Sequence, residues 1–325
     1  MTRPADAGVP VISAEVIAET MTRAGAVAAI ESALARGVDI EHDHERIFAP
    51  LSAGEFLLMP TESASAAGIK VATIAPGNTR LGLPKISAWY LLFDRATLQP
   101  TAIVDGTRLT TLRTPAVTVA AVRALLAADP GGPVTAVGRL VVLGSGPQAV
   151  EHVLTLQAVL PLGTVALVGR TSERVAAAVA ELRGHGVDAA SGSLDDARSA
   201  DVVVTATSSP EPVLDLADVR PGVVVAGIGA HGLDHRELGA ALMRAADLVV
   251  EARASARREN GNLAAAETEE PLRPSNLAEL LRGEVRRRPG APAVYTGVGM
   301  AWEDLAVVEG IMEITRQSAP KMEST

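Results

Sequence analysis

The first third of the chain changes the period of its hydrophobic residues twice. Apolar positions at helical spacing continue from an N-cap at Ser13 to about residue 34, and Gly37 ends the pattern. Short apolar runs typical of strands then follow one another between residues 48 and 104, separated by proline and glycine. Helical spacing returns over residues 114–128. This order of patterns predicts a domain of the α+β class.

The second part of the chain alternates apolar strands with helical segments. Strands are predicted at residues 140–143, 165–168, 201–206, 222–227 and 247–250, with helices at 148–160 and 172–182. Alternation at this spacing is typical of βαβ units, so we predict an α/β fold with a Rossmann-type doubly wound parallel sheet. A last helical pattern covers residues 302–314, and we expect this helix to pack on the first domain.

Composition and charge narrow the classes of partner. The 325 residues carry a net charge of -9 and include no cysteine. Phosphate contacts to nucleic acid require clustered Lys and Arg, so no nucleic-acid partner is expected. Without cysteine, the chain has no disulfide, thiolate metal site or cysteine nucleophile. The first residues lack the apolar region of a signal peptide, and no uninterrupted apolar run reaches about 18 residues, so we expect a cytoplasmic location without membrane contact.

A glycine-rich segment directly follows the strand predicted at residues 140–143. It reads Gly144-Ser145-Gly146-Pro147-Gln148-Ala149 and opens a predicted helix, which is the context that a dinucleotide-binding loop requires. The first glycine permits a tight turn, the second lets the backbone approach a diphosphate, and the helix N-terminus attracts negative charge. The alternative is an ordinary strand-to-helix turn. A second strand at the right distance favours NAD(P) binding.

The end of that second strand indicates which dinucleotide fits. Residues 169–172 read Gly169-Arg170-Thr171-Ser172, without the Asp or Glu that would accept hydrogen bonds from the ribose of NAD. A guanidinium fork and two hydroxyls suit a phosphate dianion. We therefore predict NADP(H) as the cofactor in preference to NAD(H). The alternative role of Arg170 is stacking on the adenine.

Three further residues are candidates for contact with the reactants. Thr207 follows the strand predicted at residues 201–206, where backbone and hydroxyl groups commonly approach a dinucleotide. Lys70 lies inside an apolar strand, and burial there would lower its pKa towards that of a general acid or base. His231 lies in the loop after the next predicted strand and has an unperturbed pKa of about 6.5. Its alternative is a loop histidine hydrogen-bonded to backbone.

No metal site is predicted from the sequence. His42 and His44 have residue types that bind metals, but they alternate with acidic residues in Glu41-His42-Asp43-His44-Glu45 and form no i, i+4 pair typical of a helical metal site. This composition fits an exposed polar turn better.

Three motifs resemble the ornithine cyclodeaminase/mu-crystallin family. Residues 105–116, which end in Arg113-Thr114-Pro115-Ala116, resemble the segment in which Arg-Thr-Ala-Ala opens a family helix. Residues 56–60 followed by Gly68-Ile69-Lys70 resemble the family's Met-Pro and Gly-x-Lys pair. Residues 297–304 resemble the turn that closes over the nicotinamide. The resemblance covers nearly the whole chain, and the combination of motifs makes it specific.

The resemblance implies an architecture of two domains in a homodimer. Residues 1–115, completed by 303–325, would form a substrate-binding and dimerisation domain of the α+β class. Residues 116–302 would form the NAD(P)-binding Rossmann domain. By the same resemblance, Gly229, Val298 and Gly299 join the predicted cofactor contacts.

The resemblance also implies small α-amino or α-imino acid substrates. Residues that match Arg46, Lys70 and Arg113 hold the substrate carboxylate in the family. Two guanidinium forks and an ammonium group suit this role, because together they neutralise and orient a carboxylate.

One loop departs from the cyclodeaminases of the family. Their loop carries an Asp thought to act on the amino group, where this chain has His231, and residues 234–237 resemble the reductase members instead. We therefore expect an NADP-dependent oxidoreductase of the ketimine reductase or amino acid dehydrogenase type, in which Lys70 or His231 supplies the proton. Two alternatives stay open: an NAD-dependent ornithine cyclodeaminase-type lyase that releases ammonia, and a cofactor-retaining ligand-binding protein of the mu-crystallin type.

Overall fold

The computed structural model describes residues 8–268 and 270–318, and the chain forms two compact units. Within these residues, one unit combines 8–33, 43–113 and 300–318, and the other combines 34–42 and 114–299. The division falls inside a single helix, between Arg113 and Thr114.

The chain up to residue 127 contains six strands and three helices among its described residues. In chain order they are β1 (Val11–Ile12), α1 (Ala14–Thr20), α2 (Arg23–Ala35), β2 (Ile47–Leu51), β3 (Gly54–Glu62), β4 (Ala66–Ile74), β5 (Ile86–Asp94), β6 (Pro100–Asp105) and α3 (Gly106–Ala127).

The rest of the described chain contains eight strands and seven helices. In chain order they are β7 (Val137–Leu143), α4 (Pro147–Val159), β8 (Leu162–Val168), α5 (Ser172–Gly184), β9 (Asp188–Ser191), β10 (Val202–Thr205), β11 (Val224–Gly227), α6 (Ala240–Ala245), β12 (Asp247–Val250), α7 (Arg253–Glu259), α8 (Gly261–Ala266), β13 (Ser275–Asn276), α9 (Leu277–Leu281), β14 (Ala293–Thr296) and α10 (Ala301–Ser318).

The first six strands form a mixed sheet in the order β1-β6-β5-β4-β3-β2. Lys70 of β4 pairs with Met59 of β3 and with Tyr90 of β5, and all three side chains are buried on one face. The helix α10 packs on β3 and β4. Because side chains alternate along a strand, Val71 and its partner Trp89 lie on the opposite face, where Trp89 is half exposed.

The helical pattern near the N-terminus contains two helices. Ser13 caps α1 as predicted and accepts the N–H of Val16 at 3.4 Å. The predicted continuation as one helix to residue 34 is wrong, because Thr22 accepts the N–H of Gly25 and so starts α2.

The helix α3 begins at Gly106, whereas the sequence pattern placed its start at residue 114. Asp105 Oδ1 accepts the N–H of Arg108 at 2.7 Å, which satisfies an amide of the first turn. By length and composition α3 could cross a membrane, with a mean hydropathy of 1.2, but 72% of that window is buried inside the protein, as in a core helix.

The second sheet is parallel throughout, in the order β13-β12-β14-β11-β10-β7-β8-β9. This is the doubly wound Rossmann-type sheet that the sequence predicted. The strands β8 and β9 continue the sheet on one side of β7, and β10 and β11 continue it on the other. The order therefore reverses at β7, and sheets of this type bind ligands outside the carboxyl ends of the strands at such a point.

Candidate active site

Gly144 lies at the carboxyl end of β7, where the sheet order reverses. Its φ of 135° is disfavoured for residues with a side chain, and its N–H bonds the carbonyl of Val168 at 2.8 Å. A Cβ atom at this position would lie 2.4 Å from the carbonyl oxygen of Ala206. The close approach of three strand ends therefore requires glycine here.

The N-terminus of α4 is open for an anion. Gly146 is the N-cap and supplies no side-chain hydrogen bond, and Pro147 occupies the first turn. Among the residues that the structure describes, apart from the two chain neighbours of Gly146, none lies within 4 Å of a Cβ atom built on this glycine. The helix α4 has 13 residues and begins at Pro147. The backbone N–H groups of Gln148 and Ala149 lie in its first turn and can bind a diphosphate. Ser145 completes the loop and is half-buried.

The turn after β8 carries exposed polar side chains. Arg170, Thr171 and Ser172 are all exposed, and within the described chain Arg170 makes no ion pair. Gly169 lies close to the glycine-rich loop, because a Cβ atom there would be 3.3 Å from Ser145 Oγ. The structure therefore brings together the two segments that were predicted to hold the diphosphate and the adenosine.

A buried glutamate joins the loops after β10 and β11. Glu237 Oε1 accepts the N–H and the hydroxyl of Thr207, and Oε2 accepts the N–H of Gly229 at 2.6 Å and the hydroxyl of Thr205 at 2.8 Å. Burial raises the pKa of this carboxyl group, and the four hydrogen bonds oppose the rise. Thr207 and Gly229, both predicted cofactor contacts, are thereby held side by side.

A second buried glutamate holds the turn after β14. Glu251 Oε2 accepts the N–H groups of Val298 and Gly299, each at 2.9 Å. Its Oε1 lies 3.2 Å from the hydroxyl of Tyr295 and 3.0 Å from the N–H of Gly299. Val298 and Gly299 were predicted to contact the cofactor, so all predicted cofactor residues lie at carboxyl ends of strands in one sheet.

Two predicted substrate residues of the other unit share one carboxylate. Lys70 Nζ lies 2.7 Å from Asp304 Oδ2, and Arg113 Nε lies 3.2 Å from Asp304 Oδ1. Arg113 Nη1 also donates to Glu303 Oε2 at 2.7 Å. All four side chains are buried. Because Lys70 belongs to β4, Arg113 to α3 and both carboxylates to α10, three elements fix this cluster.

The environment of Lys70 brings its titration close to neutrality. Burial, the nearby charge of Arg113 and the more distant charge of Arg46 lower the pKa of Lys70 from 10.5 to about 8, while Asp304 opposes the change. Arg46 itself is half-buried just before β2. A lysine with this pKa can release a proton near neutral pH, which the sequence suggested from the apolar strand around it.

His231 lies in the other unit from Lys70, on the loop after β11. Its side chain is exposed, and its N–H donates to the carbonyl of Gly229 at 3.0 Å. His42, by comparison, is exposed and bonds Asp39 at 2.8 Å. Within the described residues no group of three His, Asp or Glu side chains converges as metal ligands would.

Sequence reasoning missed the carboxylates that hold these groups in place. Glu237, Glu251, Glu303 and Asp304 were quoted at most as parts of motifs, without a role. Glu251 and the pair Glu303-Asp304 lie between apolar residues in the sequence, and a buried carboxylate is costly unless it is paired or hydrogen-bonded. That pattern was the available sign for these three residues, whereas Glu237 follows Asp234-His235-Arg236 and carries no such sign.

The fold and the glycine-rich crevice define an NAD(P)-binding protein of the Rossmann type. The profile of the ornithine cyclodeaminase/mu-crystallin family matches residues 7–319. The chain belongs to this family, as its three motifs predicted.

Individual relatives agree with this family. The Delta(1)-pyrroline-2-carboxylate reductase 2 of Burkholderia ambifaria is 34% identical over 264 residues, 81% of each chain. The ketimine reductase mu-crystallin of Mus musculus is 31% identical over 254 residues, 78% of each chain. A solved structure of Thermococcus litoralis Delta(1)-pyrroline-2-carboxylate reductase in complex with NADH and L-proline has a TM-score of 0.84 at 22% identity, and covers 95% of this chain and 98% of that one. The last comparison concerns the fold.

Proposed function

We propose that this protein is an NADP(H)-dependent reductase of cyclic imino acids of the Δ1-pyrroline-2-carboxylate type. Relatives that are named as imino-acid and ketimine reductases confirm the class predicted from the sequence, an oxidoreductase that acts on the C=N or CH–NH bond of a small amino or imino acid. The observation that carries the proposal for this chain is Lys70, a buried lysine with a pKa of about 8 beside Arg113.

The cations of the first unit suit an imino acid because its carboxylate is adjacent to the reacting carbon. A guanidinium has five N–H donors in a fixed plane, so Arg113 can bind Glu303, Asp304 and a substrate carboxylate together. Arg46 adds a positive charge to a cluster in which two cations face two carboxylates. We assign Arg46 and Arg113 to the carboxylate, and Lys70 to its edge nearest the imine.

Lys70 is the proton donor in this mechanism. An imine accepts hydride readily only when its nitrogen is protonated, and a lysine with a pKa of about 8 is largely an ammonium ion at neutral pH. Transfer of its proton to the imine nitrogen leaves a neutral amine, which Asp304 continues to orient at 2.7 Å. Bound NAD(P)H supplies the hydride that completes the new C–H bond. The carbon gains one hydride and the nitrogen one proton, so the product is an amino acid.

The phosphate preference rests on the turn after β8. Arg170, Thr171 and Ser172 offer a guanidinium and two hydroxyls at an exposed strand end, where a carboxylate would repel a 2'-phosphate. The open amides of α4 and the glycines of its loop fit the shared diphosphate. These features support NADP(H) in preference to NAD(H).

We further propose that the protein acts as a homodimer through the outer face of its mixed sheet. Five apolar residues line a depression on this face: Val11, Val71, Trp89, Leu91 and Ile103. Val11 is 57% exposed and Trp89 50% exposed, and apolar surface of this kind is typical of subunit interfaces. A second copy of the same face, packed across a two-fold axis, would cover it. The cytoplasmic location expected from the sequence stays a prediction.

The test is turnover with defined substrates. Purified protein is incubated with NADPH and a cyclic ketimine carboxylate, and NADPH absorbance and ammonia are followed. We expect loss of NADPH absorbance and formation of the cyclic amino acid. Ammonia released from ornithine without net NADPH consumption would establish the cyclodeaminase alternative. Saturable cofactor binding without either reaction, over a broad panel of imines and 2-oxo acids with amines, would indicate a binding protein.

A further inference from the structure

Two buried carboxylates without a cationic partner lie at the carboxyl edge of the parallel sheet. Glu237 is fully buried and Glu251 is 3% exposed. Their hydrogen-bond donors are the backbone amides and hydroxyls described above, and among the described residues no Lys, Arg or His forms an ion pair with either one. Each carboxylate oxygen receives at least one backbone N–H, an arrangement that suits the ionised form.

Their place in the sheet assigns them to one half of the cofactor. Arg170 follows β8 on one side of β7, so the adenosine half of a bound dinucleotide would lie there, and the nicotinamide half would lie towards β10, β11 and β14 on the other side. Glu237 binds the loops after β10 and β11, and Glu251 binds the turn after β14. Both carboxylates therefore sit behind the loops nearest the nicotinamide.

We propose that Glu237 and Glu251 are positioning residues whose negative charge makes the nicotinamide site favour the oxidised cofactor over the reduced one. The inference rests on the proposed function, because it requires a pyridine dinucleotide in the crevice. The nicotinamide ring carries a positive charge when oxidised and none when reduced. Buried negative charge that no protein cation neutralises attracts the oxidised ring, and the attraction is strong where water is excluded.

A neutral network holds the backbone of Glu237 independently of the charge of its carboxylate. Asn262 Oδ1 accepts the N–H groups of Glu237 and Leu238 at 2.7 and 3.0 Å, and its Nδ2 donates to Thr296 Oγ1 at 3.0 Å. Asn260 donates to the same hydroxyl at 3.0 Å. These bonds connect the segment of Glu237 to the strand that precedes the turn held by Glu251. Substitution of Glu237 by glutamine therefore removes its charge while these backbone bonds remain.

The experiment compares dissociation constants for NADP+ and NADPH in wild type, Glu237→Gln and Glu251→Gln. Calorimetry or ligand fluorescence gives both constants, and thermal unfolding confirms that each variant is folded. In each variant the constant for NADP+ should rise about fivefold or more relative to that for NADPH, the effect of one partly screened charge. Glu284→Gln is the control, because it removes an exposed glutamate paired with Arg282 and should leave the ratio unchanged.

Several outcomes would overturn the inference. A purely structural role would weaken both forms equally, so an unchanged ratio in folded Glu237→Gln and Glu251→Gln contradicts it. If only one of the two variants folds, the ratio of dissociation constants in that variant decides. If neither variant folds, the wild-type constants decide, and NADPH binding as tightly as NADP+ or more tightly refutes the proposal. Wild-type protein that binds neither nucleotide would instead refute the proposed function, which distinguishes the two failures.

Discussion

Lys70 and Arg113 bind opposite oxygens of the Asp304 carboxylate. Lys70 Nζ lies 2.7 Å from Oδ2, and Arg113 Nε lies 3.2 Å from Oδ1. One residue of α10 therefore orients both the proposed proton donor and the guanidinium proposed to bind the substrate carboxylate. It also raises the pKa of Lys70 against burial, so the carboxylate acts on the charge of the lysine as well as on its position.

Asp304→Asn should move the basic limb of the pH–rate profile to lower pH. Loss of the carboxylate removes a contribution that raises the Lys70 pKa, so the pKa falls below about 8. Since Lys70 must be protonated to act as an acid, the reductive rate declines as pH rises through this pKa. The decline should begin about one pH unit lower in the variant. Glu313→Gln, on the exposed side of α10, is the control, and an unshifted limb would contradict the assignment.

His231→Asn should leave the chemistry almost intact. The His231 side chain is exposed, whereas Lys70 is buried with a pKa near neutrality. We expect kcat to change by less than about tenfold, while Lys70→Met should lower it by about 100-fold or more, as for loss of a general acid. Both variants are assayed with the same ketimine under saturating NADPH. A loss in His231→Asn as large as in Lys70→Met would make the histidine the proton donor.

Arg170→Ala should weaken the binding of NADPH without affecting the binding of NADH. The guanidinium would lose charge-assisted hydrogen bonds to the 2'-phosphate, which corresponds to about a tenfold rise in the KM for NADPH. The KM for NADH, which lacks this phosphate, should stay nearly constant. Arg198→Ala removes another exposed arginine of the same unit and serves as the control. Equal effects on both nucleotides would indicate adenine stacking instead.

Gly144→Ala and Gly146→Ala should separate folding from nucleotide binding. The first variant places a Cβ atom 2.4 Å from the Ala206 oxygen at a φ of 135°, so unfolding free energy should fall by about 2 kcal/mol or more. In the second variant the Cβ atom meets no atom within 4 Å among the described residues beyond its chain neighbours, so stability should hold while the nucleotide dissociation constant rises about tenfold. Thermal unfolding and calorimetry measure the two effects. Gly184→Ala, at the last residue of α5, also has open space; it should leave the dissociation constant unchanged and should not lower stability.

Trp89→Glu should dissociate the proposed homodimer. A carboxylate at the centre of the apolar depression would have to be desolvated without a partner in the interface. Light scattering after size-exclusion chromatography should show a dimer for wild type and a monomer for the variant at micromolar concentration. Leu194→Glu, which changes an exposed leucine of the other unit, should stay dimeric. A monomeric wild type would rule out the interface.

The parallel sheet was predictable because its patterns are local. The predicted strand at residues 247–250 matches β12, and the loop that begins with Gly144 was identified from its neighbours in sequence. By contrast, β9 reads Asp-Ala-Ala-Ser and β14 reads Ala-Val-Tyr-Thr, so neither contains the consecutive Val or Leu residues that mark β10, β11 and β12, although β14 lies between β11 and β12 and is fully buried. Short strands of this kind are recognised from the neighbouring strands with which they pair, and those neighbours lie far away in the sequence.

The ion pairs and hydrogen bonds of the candidate site were not predictable for the same reason. Lys70 and Asp304 are 234 positions apart, and Thr207 and Glu237 are 30 apart, so no spacing rule connects them. The start of α3 was missed on a smaller scale. The helical spacing indicated a start at residue 114, but the helix already starts at Gly106 and includes Pro115.

The exposed turn at Arg170 has a consequence for how such proteins diverge. A side chain at position 144 would collide with the backbone of Ala206, which leaves selection almost no choice. The side chains of residues 170–172 are exposed, and Thr171 caps α5 through its backbone alone. Related proteins can therefore change their preference between NAD and NADP by a few substitutions at the surface. The fold that positions the catalytic residues stays the same.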